Sequence, residues 1–272
     1  MTSYTRTVKL TGERPIEGKT PDSLLALHEA GYREVLARIG PGRFLDVGCG
    51  LGEGSATFLA PDRDVIGVDY DAATAALAHQ RRPALHAACC DGAATALRAE
   101  SFDWVCSSHL IEHFVDPEPH AHELARVLKP AGTAFFITPN KPADFENPYH
   151  LSLFGPEDLA AMLRRHFEGV TVFGLDGDAV VKADFARRRT LACKLLALDV
   201  FDLRHRLPRR WYVGLHAVAR RLAYPIARRG AADRPAITAD RFSLVDTIDD
   251  TTLVLFAVAR QPVVATSSRS MG

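Results

Sequence analysis

The stretch that most limits what this chain can become is residues 44–54, Phe-Leu-Asp-Val-Gly-Cys-Gly-Leu-Gly-Glu-Gly, an apolar run with an embedded acid followed by alternating glycines. An apolar run of this length bounded by glycine reads as a buried strand entering a tight loop. Gly48, Gly50 and Gly52 carry no Cβ, so a ligand can lie against the peptide groups of that loop. A second apolar run, Val65 to Val68, ends in Asp69. A carboxylate at the end of the second strand of an open α/β sheet is placed to accept the two hydroxyls of a ribose.

The rest of the chain alternates short β-branched or aromatic runs with longer helical patterns, which predicts a parallel sheet with crossover helices. Strands are expected at 43–47, 64–69, 84–88, 102–107, 132–138, 170–175 and 252–259. Helices are expected over Pro21 to Ile39, Pro119 to Leu128 and Pro156 to Phe167. The last two strands are about 75 residues apart, so an insertion is expected between them. With 272 residues and 47% hydrophobic residues, the chain can bury one α/β core and an elaboration.

Charge and spacing decide which nucleoside ligand the loop suits. A dinucleotide fingerprint needs glycines at relative positions one, three and six. Counting from Gly48 puts Glu53 in the sixth place, and counting from Gly50 puts Ser55 there. Asp46 and Glu53 flanking the glycines would repel a pyrophosphate and favour a cationic ligand. S-adenosylmethionine, with its sulfonium and α-ammonium, is such a ligand. At Asp46-Val47-Gly48-Cys49-Gly50-Leu51-Gly52 the chain resembles the class I S-adenosylmethionine-dependent methyltransferases, whose first motif reads acid-x-Gly-x-Gly-x-Gly. Leu128-Lys129-Pro130-Ala131-Gly132 resembles a helix-to-strand break of the same family. Thr11-Gly12-Glu13-Arg14-Pro15 is similar to an N-terminal signature of a group that modifies glycans or secondary metabolites.

The resemblance implies a Rossmann-like seven-stranded, mostly parallel sheet whose last strand is antiparallel, with helices on both faces and a helical insertion before that strand. It implies S-adenosyl-L-methionine as cofactor. Its binding residues would be Asp46, Gly48, Cys49, Gly50, Gly52, Asp69, Tyr70, Asp91, Gly92 and Ser108, with Asp91 beside the adenine amino group.

The fourth strand runs into Ser107-Ser108-His109-Leu110-Ile111-Glu112-His113-Phe114, and His109 to His113 spells H-x-x-E-H, an inverted zinc-protease motif. That motif needs a continuous helix, and Asp116-Pro117-Glu118-Pro119 opposes one. No metal is therefore expected. Glu112 and His113 are instead candidates to orient an acceptor and take its proton, or His113 caps the helix that follows. Asn147-Pro148-Tyr149-His150 follows the fifth strand, and related sequences with such a stretch are assigned to sugar or small-molecule methyl transfer. His150 is a second candidate base.

Residues 182–229 hold thirteen Lys and Arg against three Asp, a surplus of ten in a chain whose net charge is zero. Trp211, Leu215, Val218 and Leu222 recur there at helical spacing, a basic amphipathic pattern. It suits an anionic lipid surface or a phosphate-linked acceptor, or else a lid or dimer helix meeting an acidic core. The neutral whole carries no field to recruit nucleic acid. Five cysteines, odd in number and without a C-x-x-C pair, point to a reducing compartment, and no apolar run is long enough to span a membrane.

The expected organisation is a single domain over 1–272. Its parts are an N-terminal arm and helix (1–40), a cofactor-binding core (41–176), a basic helical insertion (177–235), a final strand region (236–262) and a disordered tail (263–272). The expected activity is methyl transfer to a hydroxyl of a small-molecule, glycan or lipid-linked acceptor. The location would be cytoplasmic, with peripheral contact at the inner membrane face through 182–229. Transfer to nitrogen or carbon, and a membrane-surface module with a structural pocket, are the alternatives. Oligomeric state is left open.

Overall fold

The computed structural model describes residues 20–144, 147, 149–196 and 235–263. The Thr11-Gly12-Glu13-Arg14-Pro15 segment, most of the basic stretch including its amphipathic pattern, and the tail after Val263 lie outside the described residues.

Helix α1 (Asp22–Leu36) comes first, then β1 (Gly42–Val47), β2 (Arg63–Asp69), α2 (Ala72–Arg81), β3 (His86–Cys89) and β4 (Phe102–Ser108). After these come α3 (Glu118–Val127), β5 (Leu128–Pro139), α4 (Pro156–Leu163), β6 (Phe167–Gly177), α5 (Ala179–Leu196), β7 (Phe242–Val245) and β8 (Val254–Pro262). The strands form one sheet in the order β3-β2-β1-β4-β5-β8-β6-β7. Strands β1 to β5 are mutually parallel; β8 runs antiparallel to both β5 and β6, and β7 runs antiparallel to β6.

The antiparallel last strand agrees with expectation, while the count is eight strands rather than seven. The additional strand is Phe-Ser-Leu-Val at 242–245, too short to carry a pattern of its own. It pairs with Gly174–Gly177 at the end of β6, which is longer than the 170–175 expected. Helix α4 stops at Leu163, earlier than expected, because β6 begins at Phe167.

Side chains alternate across each strand, so adjacent residues serve opposite layers. Phe44, Phe135, Ile137 and Phe256 face the layer that α1 covers with Leu27, Tyr32 and Val35. Their neighbours Leu45, Phe136 and Leu255 face the layer that α3 and α4 cover with Leu124, Leu159 and Leu163. Each such side chain, wholly removed from water, contributes on the order of 2–3 kcal/mol. Helix α1 approaches the sheet closely at Gly31, where a Cβ would stand 3.0 Å from Ile137 Cδ1.

The Lys129-Pro130-Ala131-Gly132 break does end α3, and its residues continue directly into β5. Pairing with β4 shifts register there, between Phe102↔Leu128 and Trp104↔Thr133. Lys129 closes the irregularity on Asp103 at 2.8 Å. The carboxyl ends of β1, β2, β3, β4 and β5 share one edge of the sheet, where open α/β sheets bind ligands.

Candidate active site

The loop after β1 is built on glycine conformations. Gly48 has φ +83° and Gly52 +78°, values that L side chains rarely adopt. At Gly52 space forbids a side chain as well, since a Cβ would lie 2.7 Å from Leu85 Cδ2. Gly50 N–H donates to Asp69 Oδ2 at 3.1 Å, and Asp71 N–H to Asp69 Oδ1 at 2.9 Å. The carboxylate at the end of β2 thereby pins the loop from below. Each of its oxygens accepts one of these backbone N–H bonds.

Asp46 behaves differently. It is fully buried under the loop, where Ser55 Oγ donates to it at 2.5 Å and Tyr32 Oη at 3.1 Å. Burial pushes its carboxyl up to about 6, against the two hydroxyl donors and with help from the charge of Asp69. Its carboxylate serves the loop's foundation rather than its surface. Cys49 is buried, Tyr70 is exposed, and Ser108 Oγ is buried without a partner. Asp91 is exposed, with one oxygen accepting from Ala93 N–H at 2.9 Å. The carbonyl of Gly92 accepts from His120 Nδ1 at 2.8 Å, and the other nitrogen of that ring lies 2.8 Å from Ser107 Oγ. His120, which nothing in the sequence singled out, joins the ends of β3 and β4. Burial lowers its pKa to about 4, more than Gly92 and the surrounding acids raise it.

Beyond the ends of β4 and β5 lies a second group of side chains. His109 has φ +50°, and its N–H donates to the Ile137 carbonyl at 2.7 Å. Residues 111–113 then form one 3-10 turn rather than a helix, so the continuous helix required by the inverted zinc motif is absent. The turn drives Glu112 fully into the interior, where Thr138 Oγ1 donates to its Oε2 at 3.0 Å. Glu112 Oε1 has no hydrogen-bond partner. His109 Nδ1 stands 3.5 Å from it, poorly aligned for a hydrogen bond, and His150 Nε2 stands 3.9 Å away. Burial would raise the pKa of Glu112; the imidazoles of His109, His150 and His113 more than offset that and hold it below its ordinary value.

His113 does not cap α3. Its Nδ1 donates to the Tyr149 carbonyl at 3.0 Å, which ties the turn after β4 to the loop after β5. His150 Nδ1 pairs with Asp144 Oδ1 at 3.0 Å, and its ring meets that of His113 edge-on at 5.1 Å. The three proposed acceptor-side residues thus come together, and the structure adds Thr138, Asp144, His109 and His28. The ring of His28, on α1, sits 4.2 Å from that of His109. Burial, and then His109, lower the pKa of His28 well below the ordinary imidazole value. A pattern could have flagged Asn147 and Tyr149 beside His150; nothing local flags His28, Thr138 or Asp144.

Residues 45–136 match the family described as methyltransferase domain. The chain is 33% identical over 162 residues to a Mycolicibacterium smegmatis protein named "Probable S-adenosylmethionine-dependent methyltransferase"; the match covers 57% of this chain and 63% of that one. A ubiquinone biosynthesis O-methyltransferase from Paracidovorax citrulli is 34% identical over 143 residues, covering 50% of this chain and 58% of that one. This chain therefore spans about three fifths of the length of these curated relatives.

A solved Thermotoga maritima structure, titled an S-adenosylmethionine-dependent methyltransferase and possible histamine N-methyltransferase, superposes with a TM-score of 0.56 at 15% identity. It covers 87% of this chain and 92% of its own. The cyclase SpnF superposes with a TM-score of 0.53 at 20% identity, over 93% and 85%, so the fold by itself does not fix the reaction. Residues 45–136 of the chain match a methyltransferase-domain family, and its α/β sheet with an antiparallel edge is the fold it shares with these solved structures.

Proposed function

We propose that the methyltransferase domain of this chain moves the methyl group of S-adenosylmethionine onto a hydroxyl oxygen of a small glycan, lipid-linked or secondary-metabolite acceptor. The observation that carries this reading is the adjacency of two dissimilar sites at the carboxyl edge of the sheet. One is a glycine loop braced by Asp69; the other is a partly buried carboxylate–imidazole cluster of Glu112, His113 and His150.

In this reading Gly48, Gly50 and Gly52 let the donor lie on the loop's peptide groups, Asp69 takes the ribose hydroxyls, and Asp91 and Gly92 border the adenine. Asp46 acts through the loop it supports. The bound donor supplies a methyl group on a sulfonium, and that sulfur keeps the electron pair when the methyl leaves. His150 or His113 accepts the acceptor's hydroxyl proton as its oxygen forms the new bond to carbon, and Glu112 stabilises the imidazolium. Holding the acceptor oxygen in line with the methyl supplies most of the rate. The similarity to an O-methyltransferase of ubiquinone biosynthesis over half of the chain supports oxygen as the acceptor atom.

The start of the basic stretch supports a lid reading more than a lipid-facing one. Lys182 pairs with Asp176 at 2.6 Å, Arg188 donates to Ser23 Oγ at 3.1 Å, and Arg189 donates to the Pro142 carbonyl at 3.1 Å. Among the described residues no helix is long and apolar enough to cross a membrane. Calorimetric titration with S-adenosylmethionine and its demethylated product tests the cofactor half: binding is expected, and no detectable heat or exchange would end the proposal. Liposome co-sedimentation with and without residues 182–229 tests the membrane alternative.

A further inference from the structure

We infer that Glu112, His113 and His150 form a binding site for one divalent transition-metal ion. Each residue offers one ligand atom, and the three atoms lie within 4.8 Å of one another. Ligands about 2.1 Å from a tetrahedral ion stand about 3.4 Å apart, so small side-chain adjustments close the set. The Glu112 Oε1 to His150 Nε2 distance is 3.9 Å.

The hydrogen bonds fix which atoms can ligate. A carbonyl only accepts, so the contact of His113 Nδ1 with the Tyr149 carbonyl places the ring proton on Nδ1 and the lone pair on Nε2. Asn147 Oδ1 accepts from Tyr149 N–H at 3.1 Å, which turns the amide NH₂ toward His150 Nε2 at 2.9 Å. His150 Nε2 is then an acceptor, and its Nδ1–H faces Asp144. Glu112 Oε1, wholly buried and without a hydrogen-bond partner, points at the same place.

Every candidate ligand also has an outer partner on its other atom: Thr138 behind Glu112, the Tyr149 carbonyl behind His113 and the Asp144 carboxylate behind His150. Outer partners of this kind hold metal ligands in the required tautomer and orientation. Two imidazoles and one carboxylate suit zinc, cobalt, iron or manganese and leave a coordination position open. Asn147 is the one group that must yield its bond to His150.

The ion's consequence for catalysis rests on the methyl-transfer reading, whereas its binding does not. With the ion in place, both imidazole lone pairs are donated to it. An acceptor hydroxyl at the open position would be made more acidic by the ion, which would then supply the activation that the free imidazoles supply in its absence.

The test uses the full-length protein, stripped with a chelator and titrated with Zn²⁺ and with Co²⁺, whose visible spectrum reports nitrogen and oxygen ligation. One equivalent is expected, with the cobalt bands lost and affinity reduced more than tenfold in Glu112→Gln and His150→Gln, and reduced on the order of tenfold in Asp144→Asn. Thermal unfolding of each variant shows that it is folded. Absence of stoichiometric metal, or an equivalent retained at full affinity in both Glu112→Gln and His150→Gln, overturns the inference. Failure of the methyl-transfer reading shows separately, as absent donor binding in a protein that still takes up the ion.

Discussion

The two halves of the ligand edge are built in different ways. The proposed donor half is made mostly of backbone from one short stretch: Asp46 to Gly52 and Asp69 lie within 24 residues, and the bonds that shape it run from peptide N–H groups to one carboxylate. The proposed acceptor half is made of side chains gathered from α1, the turn after β4, the end of β5 and the loop beyond it. A backbone site tolerates changes of side chain that leave its dihedral angles intact. A side-chain site depends on each member and on the groups behind it.

The largest effect expected from that contrast is on turnover. Replacing His113 and His150 singly by Ala should reduce kcat on the order of 10²–10⁴-fold in at least one case, with donor affinity within about twofold of wild type. Steady-state kinetics with parallel calorimetry would show it, and equal losses in both quantities would mean that the halves are not separable. The opposite signature is expected at Asp69. Asp69→Ala removes the acceptor of two backbone bonds and of the ribose, and should weaken donor binding on the order of 100-fold. A change of less than threefold would remove Asp69 from the donor site.

This difference also explains how far the sequence could be read. The shape of the glycine loop was legible because it depends on residue type at adjacent positions: glycine is favoured at the dihedral angles of 48 and 52. Most strands were legible from runs such as Phe44–Val47 and Phe135–Thr138. The strand at 242–245 was not, since four residues contain no period and their pairing is supplied by β6. Glu112, His113 and His150 were recognisable as reactive types near two strand ends. Their convergence depends on Thr138, Asp144 and the Tyr149 carbonyl, whose placement follows from long-range packing. The surroundings of Asp46 were not legible for a related reason. An acid before a glycine loop reads as facing the ligand, and only the positions of Tyr32 and Ser55 reveal that it faces inward.

A pH experiment sharpens the comparison at its boundary, where Asp46 underlies the donor loop and His120 underlies the seam beside it. Burial raises Asp46 to about 6 in the folded protein, so the folded state takes up that proton first. Its contribution to stability grows as pH falls from 6 toward the ordinary carboxylate value of 3.8. His120 is lowered to about 4, so the unfolded state protonates first and the contribution of His120 is lost as pH falls from 6.5 to 4. Each is worth on the order of 3 kcal/mol, and in the wild type they nearly cancel. Denaturant unfolding between pH 7 and 4 should therefore show Asp46→Asn losing stability more steeply than wild type and His120→Gln losing it less. Parallel curves for all three proteins would contradict the assigned burial effects.

The smallest effect is expected at Tyr32→Phe. Removing its hydroxyl from Asp46 should cost about 1–2 kcal/mol of stability and weaken donor binding only slightly, because Ser55 remains.

Helix α1 touches both halves, four residues apart on one face: His28 against the ring of His109, and Tyr32 against the carboxylate of Asp46. A helix is stiff over a single turn, so these two contacts share the motions of one rod. Any tilt or slide of that rod reaches the glycine loop and the imidazole cluster together.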